Sequence, residues 1–443
     1  MNICLLNDSF PPVIDGVANV VLNYGRALTQ NHEANVIVGT PKYPDGDYSG
    51  YPYKVVAYPS IDTTRIIDGY RAGNSLSIRE IDEIAEFGPD IIHTHCPASS
   101  TLMARILQHE TGAPVIFTYH TKFDIDITRA VGDGFLKKET IKAMVGNISA
   151  CDEVWTVSEG AGENLKSLGF EGDYRVMPNG VDFARGKASP EAVRAATGAY
   201  DLPAGVPVFL FVGRLVKYKG LPLIFEALKA LKETGLDFRM LVVGSGPDEQ
   251  ELKDMTVRLN LEDKVIFTGP IRDREVLRAV NTRADLFLFP STYDTNGIVV
   301  REAAACGLAS VLIKGSCAAE GITHGRNGYL IEETPEAMAA LLTEICKDMD
   351  RVAAVGDCAM REIYISWDDA VKLAYERYGE IRELAAAGEY LKRKKDPTDY
   401  LIAAAADVAE GFRKLGDVPK NIYKHLQQEI EAAKDYMEGQ LWQ

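Results

Sequence analysis

Residues 207–244 read PVFLFVGRLVKYKGLPLIFEALKALKETGLDFRMLVVG and place a basic turn and a helical pattern between two apolar runs. The runs PVFLFVG and RMLVVG are continuous, which is typical of parallel strands that helices cover on both faces. The segment between them has apolar residues at helical spacing, and Pro222 suits its first turn. A strand, a helix and a second strand in this order predict an α/β fold. The apolar face of the helix consists of Leu221, Ile224, Phe225, Leu228 and Leu231.

The same alternation runs along most of the 443 residues, a length that exceeds what one growing core supports. Runs such as NICLL, ANVIVG and PVIFTY predict a first parallel sheet, and a seam rich in glycine, proline and alanine precedes the strand at Pro207. The prediction is two doubly wound, Rossmann-like domains, residues 1–185 and 186–363, which face a central cleft. The tail, residues 386–443, has helix-like segments after LKRKKDP and is predicted to be a helical extension.

The composition excludes several classes of protein. A hydrophobic content of 46% and a charged content of 25% argue against disorder, coiled coil and collagen. The formal charge of −16 argues against a nucleic-acid partner, because phosphate backbones require a cationic surface. No apolar run approaches the ~20 residues that span a bilayer, and the start MNICLLNDSFPP resembles a first strand and not a signal peptide.

The cysteines indicate the compartment. They are scattered, odd in number and never spaced as CxxC, which is typical of a reducing environment. We therefore expect a cytoplasmic protein with neither a disulfide framework nor a zinc site. The seven are Cys4, Cys96, Cys151, Cys306, Cys317, Cys346 and Cys358.

In open parallel sheets, ligands bind beyond the carboxyl ends of the strands, so the loops there carry the candidate residues. Gly16 lies where the chain enters the first helix, either as an anion site for a phosphate or as a simple turn. After the strand at Pro207, Gly213 is followed by Arg214, Lys217 and Lys219. An arginine and two lysines at this place suit a diphosphate, and a solvated basic loop is the alternative.

Two weaker signals lie in other loops. Gly244 and Gly246 resemble part of a dinucleotide fingerprint, but the third glycine is missing, so a tight turn beside a nucleotide is favoured over NAD binding. His120 follows the strand PVIFTY, where an imidazole can donate to a sugar hydroxyl, although a lone histidine is often structural. His93 and His95 lack a third and fourth ligand, so hydrogen bonding to cleft loops is expected in place of a metal site.

Residues 291–312, STYDTNGIVVREAAACGLASVL, contain a polar turn and then an acid within an apolar segment. Asp294 lies in the turn, and Glu302 lies on the helix predicted to begin near Gly297 or Ile298. Carboxylates accept paired hydrogen bonds from vicinal diols, and free amides at a helix start can hold a sugar hydroxyl or a phosphate oxygen. Alternatively, Asp294 caps the helix and Glu302 is a surface acid; an acid buried in this segment would need a partner.

Five stretches resemble, in chain order, motifs of the retaining glycosyltransferases of family 4, which have the GT-B fold. The resemblance covers about residues 1–385. It implies a first domain that binds the acceptor, a second that binds a nucleotide-sugar donor, and a helix over residues 364–385 that crosses back to the first domain. The stretches are VMPNGVDF, VGRLVKYKG, DTNGIVVREAAACGLASVL, KGSCAAEGITHGRNGYLI and SWDDAVKLAYERYGEI.

The resemblance implies roles for the phosphate and nucleotide side of the site. Arg214 and Lys219 would hold the donor diphosphate and stabilise the leaving nucleotide, so that neither a metal nor another cofactor is needed. Glu302 would bind the donor ribose, and Gly16 would lie against the phosphates from the first domain. The donor-binding glycines of the second domain would be Gly213 and Gly244.

The resemblance also implies roles around the transferred sugar. His120 would contact this sugar near the reacting carbon. The loop that contains Asp294, Asn296, Gly297 and Ile298 would grip it through backbone amides and one carboxylate. This loop departs from the family pattern, because Asp294 stands where glutamate is usual and Asn296 precedes Gly297 where an aromatic residue is usual.

The expected function is transfer of a hexosyl group from a nucleotide diphosphate sugar, with UDP-hexose favoured, to an acceptor hydroxyl with retention. The acceptor would bind at segments 40–75 and 120–145 and would be a glycolipid or a soluble precursor of a cell-envelope glycan. A lipid acceptor would place the protein peripherally at the inner face of the membrane. Two rivals stay open, a nucleotide-sugar epimerase of the same fold and a non-catalytic nucleotide-sugar-binding module. Two roles stay open for the tail, formation of a homodimer and binding of another partner.

Overall fold

The computed structural model describes residues 1–13, 15–63, 71–124, 127–128 and 132–392. Two open parallel sheets flanked by helices form the molecule, which confirms the prediction of two Rossmann-like domains. The predicted helical tail lies outside the described residues from 393 onward.

The first sheet has seven parallel strands in the order β3-β2-β1-β6-β7-β8-β9, and an antiparallel hairpin, β4-β5, packs beside it. Its strands and those of the hairpin are β1 (Asn2–Leu6), β2 (Asn35–Pro41), β3 (Lys54–Tyr58), β4 (Ser60–Asp62), β5 (Arg71–Gly73), β6 (Ile91–Thr94), β7 (Val115–Tyr119), β8 (Glu153–Thr156) and β9 (Arg175–Val176). The described helices around it are α1 (Gly16–Asn31), α2 (Ile78–Glu86), α3 (Ser99–Thr111), α4 (Phe135–Ser149) and α5 (Glu159–Ser167).

The second sheet has six parallel strands in the order β12-β11-β10-β13-β14-β15. They are β10 (Val208–Val212), β11 (Arg239–Val243), β12 (Val265–Gly269), β13 (Leu286–Phe289), β14 (Ala309–Ile313) and β15 (Tyr329–Ile331). The helices that follow the first domain are α6 (Pro190–Thr197), α7 (Leu221–Glu233), α8 (Glu249–Arg258), α9 (Arg274–Arg283), α10 (Ile298–Ala305), α11 (Pro335–Ile345), α12 (Met349–Glu362) and α13 (Trp367–Ala386).

The elements form where the sequence pattern and its caps place them. All five residues of the apolar face predicted for α7 are fully buried in the core of the second domain. Several helices begin at a side chain that accepts a hydrogen bond from an amide of the first turn, which satisfies a donor that the helix itself leaves unpaired. These capping residues are Asp15, Ser158, Ser189, Asp273, Thr334, Asp348 and Ser366.

The helix α13 packs on the core of the first domain, although it follows the second domain in the chain. Tyr378 stacks on Trp155 with ring centroids 5.4 Å apart, and both side chains are fully buried. The Tyr378 hydroxyl also lies 2.6 Å from Nδ1 of His93. These contacts anchor the C-terminal helix of the described chain on the first domain.

Two further observations concern the whole described chain. Each of the seven cysteines lies in a described range and carries a free thiol. Among the helices that the structure describes, none combines the length and the apolar character needed to cross a membrane.

Candidate active site

The loops after β10 and β13 meet at one edge of the second sheet, because these strands are neighbours. The Lys219 ammonium lies 2.5 Å from one oxygen of the Asp294 carboxylate, and the Ser291 hydroxyl donates to the other oxygen at 2.5 Å. The side chains of Lys219 and Asp294 are only 18% and 20% exposed. The structure therefore joins the predicted diphosphate lysine to the predicted sugar-binding acid.

The basic loop separates its cations. Lys217 and Lys219 share one 3-10 turn, but the Lys217 ammonium pairs with Glu251 of α8 at 2.6 Å, away from Asp294. Arg214 is exposed and has no ion-pair partner among the residues that the structure describes. Lys219 and Arg214 are therefore the cations of this loop that a diphosphate could engage without breaking the Lys217 pair.

The glycines of this loop pack closely against each other. Gly213 donates its N–H to the Val243 carbonyl at 3.0 Å. Gly244 has a φ of +139°, and a Cβ there would lie 1.9 Å from the Gly213 carbonyl oxygen. Only glycine fits such an approach. Because the N–H of Gly244 donates to Gly269 at 3.0 Å, Gly244 shapes the loop and its amide is not a free donor.

The start of α10 provides unpaired donors next to Asp294. No side chain caps this helix within the described structure, so the alternative that Asp294 is its cap is wrong. Gly297 has a φ of +59°, and a Cβ there would lie 2.8 Å from the Cβ of Ala318. Asn296 is buried, and its Nδ2 has no hydrogen-bond partner in the described ranges. The helix start at Ile298 therefore suits an oxygen-rich ligand such as a sugar.

Glu302 is a buried acid with a partner. It is 6% exposed on α10, so the alternative of a surface acid is wrong. The Arg274 guanidinium, at the start of α9, donates to its carboxylate. Burial raises the pKa of Glu302, and Arg274 opposes the rise. Arg274 itself lies 3.9 Å from Asp182 and 4.5 Å from the ring centroid of Phe183.

Arg274 is a site residue that the sequence analysis missed. The available signal was the requirement that a buried acid be paired, together with the position of Arg274 in the stretch after the strand β12. The pair brings together residues that are 28 positions apart.

Gly16 lies at the start of α1, as predicted, and is exposed. Asp15 caps the helix by accepting from Ala18 N at 2.7 Å. A Cβ on Gly16 would meet no atom within 4 Å, so open space lies over this helix start. A phosphate could approach here, but it would share the helix start with the Asp15 carboxylate.

His120 lies at the end of β7 with a buried side chain. Its Nε2 is 2.9 Å from Nδ1 of His95, and the two rings stack at 5.2 Å. Burial lowers the pKa of His120 to about 3, so the ring is neutral at ordinary pH and one ring nitrogen of the pair carries the shared proton. The His120 carbonyl accepts from the Thr295 hydroxyl at 2.5 Å, which links it to the loop after β13.

The expectation that His93 bonds to a cleft loop is wrong. Its two ring nitrogens lie 2.6 Å from the hydroxyls of Tyr378 and Thr118. The physical reason is that β6 is a central strand covered on both faces, so this side chain is fully buried in the core. His95, after the end of β6, bonds to His120 instead.

Loops of the two domains also meet across the cleft. The Glu320 carboxylate accepts from the amides of Glu159 and Gly160, at the start of α5 of the first domain, at 2.8 and 2.7 Å. Lys122 Nζ donates to the Thr292 carbonyl at 3.1 Å. These contacts hold the loops after β13 and β14 against the first domain.

This geometry agrees with comparisons with known proteins. Residues 14–185 match the family model described as Glycosyltransferase Family 4, and residues 196–359 match the one described as Glycosyl transferases group 1. An alpha-monoglucosyldiacylglycerol synthase of Streptococcus pneumoniae is 26% identical over 69% of this chain and 70% of its own length. A GDP-mannose-dependent alpha-mannosyltransferase of Corynebacterium glutamicum is 26% identical over 87% of this chain and 90% of its own.

Solved structures show the same fold. Anabaena Alr3699/HepE in complex with UDP superposes with a TM-score of 0.67 at 19% identity, over 86% of this chain and 100% of that one. A sucrose-phosphate synthase from Thermosynechococcus elongatus superposes with a TM-score of 0.66 at 21% identity, over 87% and 99%. The two matched models together with the two facing parallel sheets lead to one conclusion. The chain is a family 4-type glycosyltransferase of the GT-B fold, with one of the two models matched in each domain.

Proposed function

We propose that the protein transfers a hexosyl group from a nucleotide diphosphate sugar to an acceptor hydroxyl with retention at the anomeric carbon. The observation that carries this proposal is the contact between Lys219 and Asp294, together with Arg214 on the same loop, which has no ion pair within the described ranges. A cation held against an acid at a helix start provides, in one place, a group for the diphosphate and a group for the sugar.

The donor would lie across the carboxyl edge of the second sheet. Its diphosphate would engage Lys219 and Arg214, and its ribose diol would bond to Glu302, whose orientation Arg274 maintains. The unpaired Nδ2 of Asn296 and the first amides of α10 would hold hydroxyls of the transferred sugar. Asp294 would accept from another hydroxyl and, being shorter than the usual glutamate, would draw the sugar closer to the loop.

Catalysis in this proposal is mainly electrostatic. As the bond from the anomeric carbon to the diphosphate breaks, negative charge grows on the leaving phosphate, and Lys219 and Arg214 stabilise it. These two side chains would supply the positive charge that a metal ion supplies in other transferases. The acceptor hydroxyl would attack from the same face and pass its proton to the departing phosphate, which gives retention. Domain closure would limit hydrolysis of the donor by water.

The donor nucleotide is proposed to be UDP and the sugar a hexose. Supporting this, Alr3699/HepE has been solved with UDP and glucose and with UDP-glucose, although at 19% identity. A GDP-mannose donor is the second candidate, because two relatives are named as GDP-mannose-dependent enzymes. The response of the protein to UDP and to GDP distinguishes these two donors.

The acceptor is proposed to be a glycolipid or a cell-envelope glycan precursor, which would place the protein in the cytoplasm at the membrane surface. The support comes from relatives that are named as diacylglycerol and phosphatidylinositol glycosyltransferases. The predicted acceptor segments, 40–75 and 120–145, both belong to the first domain, but parts of each lie outside the described residues.

Thermal unfolding with UDP, GDP, ADP and NAD at one fixed concentration tests the donor. A ligand at ~100 times its dissociation constant adds ~2.7 kcal/mol of stability, a shift of several degrees. The proposal is supported if UDP stabilises the wild type and stabilises the Glu302→Gln variant less. Stabilisation by GDP alone would mean that the donor nucleotide is GDP and not UDP. Stabilisation by NAD alone, or by none of the four, would refute the donor site. Interconversion of UDP-hexoses without an acceptor would favour the epimerase.

A further inference from the structure

A cavity of about 770 Å³ lies at the free edge of the first sheet. The edge strand β3 forms its floor through Val55, Val56 and Ala57, and the stretch after β2 and the helix α2 form its sides. The volume lies within the range of small-molecule sites, so the cavity can hold a ligand larger than a single inorganic anion.

The cavity contains a fixed guanidinium. Arg71, on β5, donates from Nε to the Ser60 hydroxyl at 2.8 Å and from Nη2 to the Ser60 carbonyl at 3.2 Å. Its side chain is only 17% exposed, and its Nη1 lies 3.9 Å from the Asp62 carboxylate. An arginine held in this way loses little side-chain entropy when it binds an anion.

Two further cations line the cavity. Lys42 and Arg79 are exposed and form no ion pair with any residue in the described ranges. Of the two acids of the lining, Glu83 pairs with Lys54 at 2.8 Å, whereas Glu80 accepts from a serine hydroxyl and keeps its charge, so three lining cations stand against one acid that has no ion pair in the described ranges. The cavity therefore has a local surplus of positive charge in a chain whose net charge is −16.

The cavity adjoins the loop that follows β1. Lys42 donates its N–H to the Tyr58 carbonyl at 2.7 Å, and the next residue, Tyr43, donates its hydroxyl to the Asp8 carbonyl at 3.0 Å. Asp8 belongs to the loop that leads into Gly16, where donor phosphates are proposed to lie. A ligand anchored by Lys42 could therefore extend toward the proposed donor.

We propose that this cavity binds the acceptor through a phosphate ester, held by Lys42, Arg71 and Arg79, with the acceptor hydroxyl directed to the cleft. This inference rests on the proposed transferase function, because it identifies the chemical class of the acceptor. Phosphate esters match the site because guanidinium groups bind their oxygens bidentately and a lysine adds a point charge. The phosphate could belong to a free sugar phosphate or to a lipid headgroup.

Binding of two probes to the full chain distinguishes these sources. The probes are glycerol 3-phosphate, measured by calorimetry, and vesicles of equal parts phosphatidylcholine and phosphatidylglycerol, measured by sedimentation against vesicles of phosphatidylcholine alone. The test protein is a double variant that combines Lys42→Gln and Arg79→Gln, and the control is the single variant Arg26→Gln. Arg26 is an exposed residue of α1 in the same domain and does not line the cavity.

We expect the wild type to bind one of the probes and the double variant to bind it at least ~10-fold more weakly, because two charge-assisted contacts are lost. The control variant should bind as the wild type does. Binding of the free ester supports a soluble acceptor, and binding of anionic vesicles alone supports a lipid one. Binding of neither probe, or equal binding by the double variant, overturns the inference.

The two hypotheses can fail separately. UDP stabilisation reports on the second domain and should be unchanged in the double variant, since Lys42 and Arg79 lie in the first. If UDP has no effect while probe binding still depends on these cations, the anion site stands and the transferase assignment of the cleft fails. If UDP stabilises the protein and neither probe binds, the proposed donor site stands and the proposed acceptor site fails.

Discussion

Replacing Lys219 with alanine tests the proposed diphosphate site most directly. In the structure its ammonium lies 2.5 Å from Asp294 and its side chain is 18% exposed, so the charge is only partly screened by water. Two unit charges ~4 Å apart interact by ~4 kcal/mol at the effective dielectric constant of such sites. The departing diphosphate should experience an attraction of this order from Lys219.

The part of this attraction that grows in the transition state determines the rate. Loss of one preorganised stabilising group costs ~10²- to 10³-fold in kcat, or ~2.7–4 kcal/mol. We expect the upper part of this range for Lys219→Ala, because the variant leaves the Asp294 carboxylate next to the diphosphate without its cation. The free energy of unfolding should fall by ~1–3 kcal/mol, because the mostly buried Asp294 carboxylate loses its cation and keeps only the Ser291 hydroxyl as a donor.

The assay is UDP release in the presence and absence of acceptor, together with the melting temperature of each variant. Lys217→Ala is the matched control, since it removes a lysine from the same 3-10 turn whose ammonium pairs with Glu251. The control should keep its rate within ~3-fold of the wild type, as expected for a residue outside the transition-state contacts. Equal losses in the two variants, or a normal rate in Lys219→Ala, would refute the assignment.

Three other changes test the rest of the site. Glu302→Gln should raise KM for the donor ~10-fold or more with a smaller effect on kcat, because the ribose diol loses a charged hydrogen-bond acceptor in the bound ground state and in the transition state alike. A variant with a lower kcat and an unchanged KM would contradict this role. Burial lowers the pKa of His120 from 6.5 to about 3, so the contribution of its neutral ring to the free energy of unfolding is fully present above pH 6.5 and is lost as the pH falls toward 3. Melting temperatures measured over this pH range should therefore fall less steeply for His120→Gln than for the wild type. Glu320→Ala removes the carboxylate that accepts from two amides of α5, so it should increase hydrolysis of the donor relative to transfer, whereas an unchanged ratio would mean that this contact does not control closure.

Most of the fold could be predicted from the sequence because its signals are local. Continuous apolar strands, helical spacing and glycine turns each depend on neighbouring residues, and the predicted face of α7 is buried in full. The positions of Lys219 and Asp294 in loops after strands could be predicted in the same way. Their contact could not, because it joins residues 75 apart and depends on which strands are neighbours in the sheet.

The misses share a physical cause. The sequence showed that a buried Glu302 needs a partner, but only the packing of α9 against α10 identified Arg274. His93 looked like a cleft residue because it lies near a strand end, yet the crossing helix α13 covers it with Tyr378.

By itself, the sequence determined the fold class, the basic loop of Arg214 and Lys219, and the acid-bearing segment after β13, since all of these follow from local pattern and motif. The tertiary structure decided which of those charges are already paired, which histidines are buried, and where free cations gather at the edge of the first sheet. The reason is that ion pairing and burial depend on distances between segments far apart in the chain. Those distances are set by strand order and helix packing, which a local pattern does not encode.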